Sequence, residues 1–311
     1  MGEETMDLAA DDAVEAILRD GAAREARALA AVVPVLRHLL GSEAQALVSD
    51  AVLARVRGMI LDLAGQLLGA QAGRDPAARA PADDPAALDA LAETLLADEA
   101  LLAHCHALAA ESLIADRLLQ RHALDPVLSP LLQELIASED SGVAALAMAA
   151  LAAQSRFVQA QRRMELPLGE LPAELFHALL ARAQSSASDS AGLVRLQAGY
   201  DEATSRLGLI ARLVASMRRG SVAALVLDHA GVALFASVLA SQTHRPREQA
   251  VLACHEGQGL RLALMLRAAG QSPAAIERQL VLIDPAARLP RALGELSPER
   301  AAALLGSGPV A

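Results

Sequence analysis

The chain has no lysine, no asparagine and no tryptophan, and its only aromatic residues are Phe157, Phe176, Tyr200 and Phe235. Each absence excludes something. Without asparagine there is no N-linked glycosylation sequon. Four aromatics cannot furnish the stacking platforms on which single-stranded nucleic acids lie. All 27 basic residues are arginine, and they form no single cationic cluster of the kind a duplex requires. Nucleic acid is therefore not an expected partner. Two cysteines, Cys105 and Cys254, lie far apart and suit a reducing cytosol better than a secreted disulfide framework. The start, Met1-Gly2-Glu3-Glu4, is acidic where a secretory leader would be basic and then apolar. The longest uncharged run, Ser141 to Ser155, is alanine-rich and too short to predict a bilayer span. A cytoplasmic location without membrane insertion is the expectation.

What is present is alanine, 72 residues out of 311, within a composition that is 54% hydrophobic and 21% charged. That apolar content excludes a disordered chain. The net charge of −10 resides entirely in residues 1–100, where 18 acidic residues face 8 arginines; beyond residue 100 the two signs balance. Small alanine side chains let helix axes approach closely and leave little room for a large cofactor inside any one module. No cofactor is expected, and a pocket would fall between modules.

Helix starts are legible. A capping side chain followed by proline recurs at Asp84-Pro85, Asp125-Pro126, Ser129-Pro130, Ser272-Pro273, Asp284-Pro285 and Ser297-Pro298. Ser42 with Gln45 fits a capping box. No alternating strand or hairpin signal occurs. The pattern predicts an all-α protein with helices near 11–20, 22–40, 43–70, 85–97, 98–122, 125–138 and 142–164. Further helices are expected near 172–186, 190–218, 221–242, 246–269, 273–282 and 297–305. The stretch 71–84 reads as a linker, with a shorter break at 185–189. The expected organisation is an N-terminal helical bundle or hairpin (1–70), that linker, a helical-repeat region (85–188) and a C-terminal helical region (189–311). An array of paired helices, HEAT-like or an irregular bundle, follows from a repeat of 42 residues. In each copy a short helix, an acidic turn (Asp98-Glu99; Glu139-Asp140) and a longer helix ending in arginine succeed one another.

Leu193, Leu196, Tyr200, Ala203, Leu207, Ile210, Val214 and Met217 alternate at spacings of 3 and 4. Such a stripe serves a long helix within a bundle or a homodimer seam. The helix at 43–70, with Val52, Val56, Met59 and Leu63, could pack against it.

Candidate chemistry is sparse. Cys254-His255-Glu256 combines a thiol, an imidazole and a carboxylate, but neighbours on a helix diverge by about 100° and cannot converge on one atom unaided. His104 and His106 fail as metal ligands for the same reason, and no metal is expected. A phosphorelay role for His229 has no supporting motif around it. Two arginine groups remain. Arg156, Gln159 and Arg163 share one helical face, while Arg212, Arg218 and Arg219 crowd the end of the striped helix. They read either as a solvated surface or as a docking face for an acidic partner, since guanidinium forks match carboxylates.

Two stretches carry a family resemblance: LSPLLQELIASEDSGVAALAMAALAAQSRF with LPLGELPAELFHALL (Leu128 to Leu180), and RLALMLRAAGQSPAAIERQLVLIDP within Phe235 to Pro285. Over residues 85–290 the chain resembles a bacterial all-helical family catalogued as a domain of unknown function, number twenty-three thirty-six. The resemblance implies a cytoplasmic helical array of repeat character, with no catalytic residues to carry over. The functional expectation is a non-enzymatic scaffold or regulatory adaptor that binds an unspecified protein partner and self-associates. The alternative is an enzyme or ligand sensor with a site between modules involving Cys254, His255 or Glu256.

Overall fold

The computed structural model describes residues 47–75, 84–186, 191–286 and 291–306. The chain divides into two compact units, Met1–Val48 and Ser49–Ala311. The expected helices at 11–20 and 22–40 and the capping box at Ser42 lie outside the described residues. So does most of the expected linker.

Among the described residues the protein is all-helical, without strands. Its α-helices are α1 (Asp50–Gln71), α2 (Pro85–Leu96), α3 (Glu99–His122), α4 (Pro130–Ile136), α5 (Ser141–Arg162), α6 (Ala173–Ser186) and α7 (Ala191–Ala198). After these come α8 (Arg206–Met217), α9 (Leu227–Thr243), α10 (Arg247–Ala253), α11 (Gly259–Ala268), α12 (Pro273–Ile283) and α13 (Pro298–Gly306). Caps account for many of the starts. Asp84 Oδ1 accepts the amides of Ala86 and Ala87, and Asp140 Oδ1 those of Gly142 and Val143. Ser129, Ser272 and Ser297 cap α4, α12 and α13 in the same way. Asp98 accepts from Leu101, so each repeat copy opens its long helix on an aspartate. With no asparagine in the chain, Ala123, Met164 and His244 take the left-handed position that ends α3, α5 and α9.

Several boundaries differ from the sequence expectation. Asp125-Pro126 closes a turn, its carboxylate accepting from Val127 and Leu128, and the helix begins only at Pro130. The rod expected over 190–218 is two helices, α7 and α8, separated by Gly199 to Ser205, where Asp201 caps a short 3-10 turn. Its apolar stripe is therefore not one continuous seam. Leu193 enters the core with α1, whereas Ile210 and Val214 enter a different core with α9. Leu196, Tyr200 and Leu207 are half-buried at the join. The helix expected at 246–269 also breaks, at Gly257 with φ +82°, into α10 and α11. Gly231, with φ +69°, kinks α9 one turn from its start.

Two apolar cores share α3 as a spine. Leu101, Cys105 and Leu108 of α3 pack with α1, α2 and the segment 166–183; Ile114 and Leu118 pack with α4, α5 and α8–α12. Leu63, Leu95, Leu101, Phe176 and Phe235 are almost wholly enclosed. Each such side chain contributes about 1.5–3 kcal/mol of burial free energy. α1, which precedes the expected linker, sits in the first of these cores.

Candidate functional site

The polar centre of the molecule lies on α3, where one core gives way to the other. Leu101, His104, Leu108, Glu111, Ala115 and Leu118 follow at spacings of 3 and 4, so one helix face carries two polar members among apolar ones. Both are buried: His104 is 3% exposed and Glu111 1%. Two guanidinium forks from distant helix starts grip Glu111. Arg206 opens α8 and donates Nη1 to Oε1 at 2.8 Å and Nη2 to Oε2 at 2.9 Å. Arg247 opens α10 and donates Nη1 to Oε2 at 2.8 Å and Nη2 to Oε1 at 2.9 Å. Arg206 also donates to Gln154 Oε1 of α5 at 3.0 Å, and its guanidinium carbon stands 3.6 Å above the Phe157 ring. Arg247 Nε reaches Ser237 Oγ of α9 at 2.8 Å. Five helices meet in one network.

Burial alone would push the Glu111 carboxyl up; the two guanidiniums outweigh it and hold the group well below the usual carboxylate range. A carboxylate with four charge-assisted donors has no lone pair left for substrate chemistry. The cluster is a fastening. Beside it, His104 Nδ1 stands 3.4 Å from Glu248 Oε1, and this hydrogen bond is the leading cause of the lowered Glu248 carboxyl.

Against the Arg206–Phe157 side of this network lies an apolar cavity of about 430 Å³. It is walled by α1, α3, α5, α7, α8 and the segment after α5. Two side chains of α1 fix that segment. Asp62 Oδ2 accepts the Leu166 amide at 2.8 Å; Gln66 accepts from Leu168 and donates to the Leu166 carbonyl. Leu108, Phe157, Leu166, Leu168 and Leu207 supply apolar wall. Gln161, 1% exposed, is polar wall: its Nε2 faces Met59 Sδ at 3.2 Å and the Glu165 carbonyl at 3.5 Å. Its Oε1 has no partner. An orphan buried acceptor costs about 1–3 kcal/mol. The volume falls within the range of small-molecule pockets.

The arginine face expected from sequence is largely on the surface. Arg156 and Gln159 of α5 and its C-cap Arg163 are exposed. Arg163 Nε pairs with Glu165 at 2.9 Å, and Arg156 also reaches the cavity wall. Arg212 is exposed on α8, with Nη1 donating to the Ala203 carbonyl at 3.3 Å. The side chain of Arg219 lies outside the described residues. Along α5, Ala145, Met148, Ala152, Arg156 and Gln159, continued by its C-cap Arg163, form one exposed stripe, apolar in its first half and polar in its second. The uncharged run continues as helix to Arg162, at a mean hydropathy of 1.3, long and apolar enough by those measures to cross a bilayer; only 22% of that stretch is buried.

Cys254, His255 and Glu256 do not converge. The thiol is buried and donates to the Ala250 carbonyl, His255 Nδ1 faces the Glu256 carbonyl at 2.6 Å, and the Glu256 carboxylate pairs with Arg117 and Arg121. Burial pushes the Cys105 and Cys254 thiols up to about 12. Neither is a thiolate at neutral pH, so iodoacetamide is expected to label neither cysteine in the native protein and both in denaturant. Intact-mass spectrometry is the check; rapid native labelling of Cys254 would restore it as a nucleophile candidate. Among the described residues no group of three or more His, Cys, Asp or Glu side chains is placed to hold a metal. His229 Nε2 lies 3.4 Å from Glu134 on α4.

Sequence reasoning missed Glu111, Arg206, Arg247 and Gln161. A signal existed for the first, a lone carboxylate inside an apolar stripe. The arginines carry no local mark, because their partner lies 95 and 136 residues away. No family model, no curated protein and no solved structure matches the chain.

Proposed function

We propose that the chain is a non-enzymatic helical adaptor acting in the cytoplasm, and that the outer face of α5 is where a protein partner docks. One observation supports this most directly: an alanine-rich helix of high apolarity keeps the stripe Ala145, Met148, Ala152, Arg156, Gln159, Arg163 uncovered. Small residues let a second helix axis come close, and Met148, 51% exposed, is an adaptable apolar contact. Arginines at the C-terminal end of the stripe select a partner helix that is acidic at the matching end.

The test compares wild type, Met148→Glu/Arg163→Glu and Val281→Glu, the last a charge placed on the exposed side of α12. Each is used as bait in extract of the native cell, with bound proteins quantified by mass spectrometry. Wild type and Val281→Glu are expected to retain the same acidic partner and the double variant to lose it. An unchanged partner set would remove α5 from the account. Sedimentation velocity identifies a second copy as the occupant if the double variant abolishes a dimer. Flotation of wild type with lipid vesicles, lost in the double variant, would overturn protein docking in favour of a membrane surface.

A further inference from the structure

We propose that the apolar cavity beside Arg206 and Phe157 and a second cavity adjoining it form one binding site for a single-chain anionic lipid. The hydrocarbon chain lies in the first cavity, and its terminal oxyanion, a carboxylate or a phosphate, lies between Arg74 and Arg195 in the second. This goes beyond the docking role and stands without it.

The second cavity, also about 430 Å³, lies where the chain leaving α1 passes α7. Its wall differs in kind from that of the first. Half-buried Arg74 and exposed Arg195 stand in it beside the stacked rings of Phe176 and Tyr200. Among the described residues the Arg195 guanidinium has no ion pair or hydrogen bond. The opposing charge in the wall is Asp75, which has a contact of its own. Asp201 and Glu202, next to Tyr200, accept the Ala203 and Ala173 amides. Positive charge is in excess, and planar guanidinium forks match an oxyanion. The first cavity offers no such head-group site. Glu165 there is paired with Arg163, Glu170 accepts the Arg206 amide, and Arg206 is committed to Glu111. Its leucines and Phe157 suit a hydrocarbon chain.

Gly169, Leu196 and Asp75 belong to both walls, so the two cavities adjoin. Gly169 keeps their boundary low. Its backbone is not left-handed, and a Cβ built on it would meet nothing within 4 Å, so neither conformation nor packing calls for glycine. A larger side chain there would stand where a ligand passes from one cavity to the other.

The test is isothermal titration of the intact protein with laurate, dodecyl phosphate, dodecanol and hexanoate, all below their aggregation concentrations. Wild type is expected to bind laurate or dodecyl phosphate one-to-one, more tightly than dodecanol or hexanoate, with a saturable change in Tyr200 emission. Whichever of the two binds tighter identifies the head group as carboxylate or phosphate. Arg195→Ala should weaken both anions about tenfold and leave dodecanol unaffected, as loss of one charge-assisted contact requires. Arg156→Ala, at the α5 face, should alter none of the affinities. Gly169→Leu should erase the advantage of laurate over hexanoate, because the chain no longer enters the apolar cavity. Thermal unfolding checks that each variant is folded; Arg195 is exposed, and the space around Gly169 is open. Absence of saturable binding by either long-chain anion would overturn the proposal. So would dodecanol binding as tightly as laurate, or a chain-length preference that survives Gly169→Leu.

Discussion

Glu111→Gln is expected to lower the unfolding free energy by about 3–5 kcal/mol, the range for removing one member of a buried ionic cluster. The loss arises from what stays behind. Arg206 is 2% exposed, so the neutral amide leaves two guanidiniums facing each other in an enclosed site. A replacement that removes all the charges, Glu111→Leu with Arg206→Met and Arg247→Met, should be far milder than the single change, because no ion remains to be solvated. Urea unfolding of the three proteins decides it. A mild Glu111→Gln variant would mean that water or a rearranged side chain reaches the site.

The same carboxyl sets an acid dependence of known sign. Its folded pKa is depressed, so its stabilising contribution is complete above the ordinary carboxylate range, which is about 4.3 for glutamate. It is lost as pH falls from there through the folded value. The stability gap between wild type and Glu111→Gln should therefore be widest at neutral pH and narrow steadily below about pH 4. A gap that stayed constant down to pH 3 would contradict the assignment of Glu111 as ionised.

The second large effect is steric. Gly192 of α7 crosses the end of α1 so closely that a Cβ built on it would lie 1.8 Å from the Ala70 carbonyl oxygen. The obstacle is backbone and cannot swing aside, so α7 must lift, drawing Leu193 from the core it fills. Gly192→Ala should cost about 3 kcal/mol, the upper part of the range for overpacking. Gly65→Ala is the internal contrast. There the new methyl would sit 3.9 Å from Leu88, an ordinary contact, and removing a helical glycine should stabilise α1 by about 0.5–1 kcal/mol. Paired thermal melts give both signs at once, and equal effects would mean α7 does not sit on α1 as described.

How much of this the amino-acid sequence could reveal depended on the range of the interaction. Capping is local, and Asp84, Ser129 and Ser272 announced their helices because the acceptor and the amides it serves are two or three residues apart. Asp125-Pro126 shows the limit: the same dipeptide chemistry closes a turn that no helix continues. Periodicity misled at 190–218 because the insertion between α7 and α8 preserves the 3-and-4 phase. Tyr200 lies in that break, its hydroxyl donating to the Leu171 carbonyl at 2.8 Å, and nothing within that segment encodes the partner. The cavity and the paired arginines are hidden for the same reason, being made by residues that meet only once the helices have packed.

Tyr200 has one more consequence. It is stacked on Phe176 at 3.9 Å, nearly parallel, between the two halves of the interrupted rod. In a chain with no tryptophan to drain its excited state, that lone phenol is the molecule's entire intrinsic emission above the phenylalanine band. The protein thus carries a native optical gauge, requiring no label, at the join between α7 and α8.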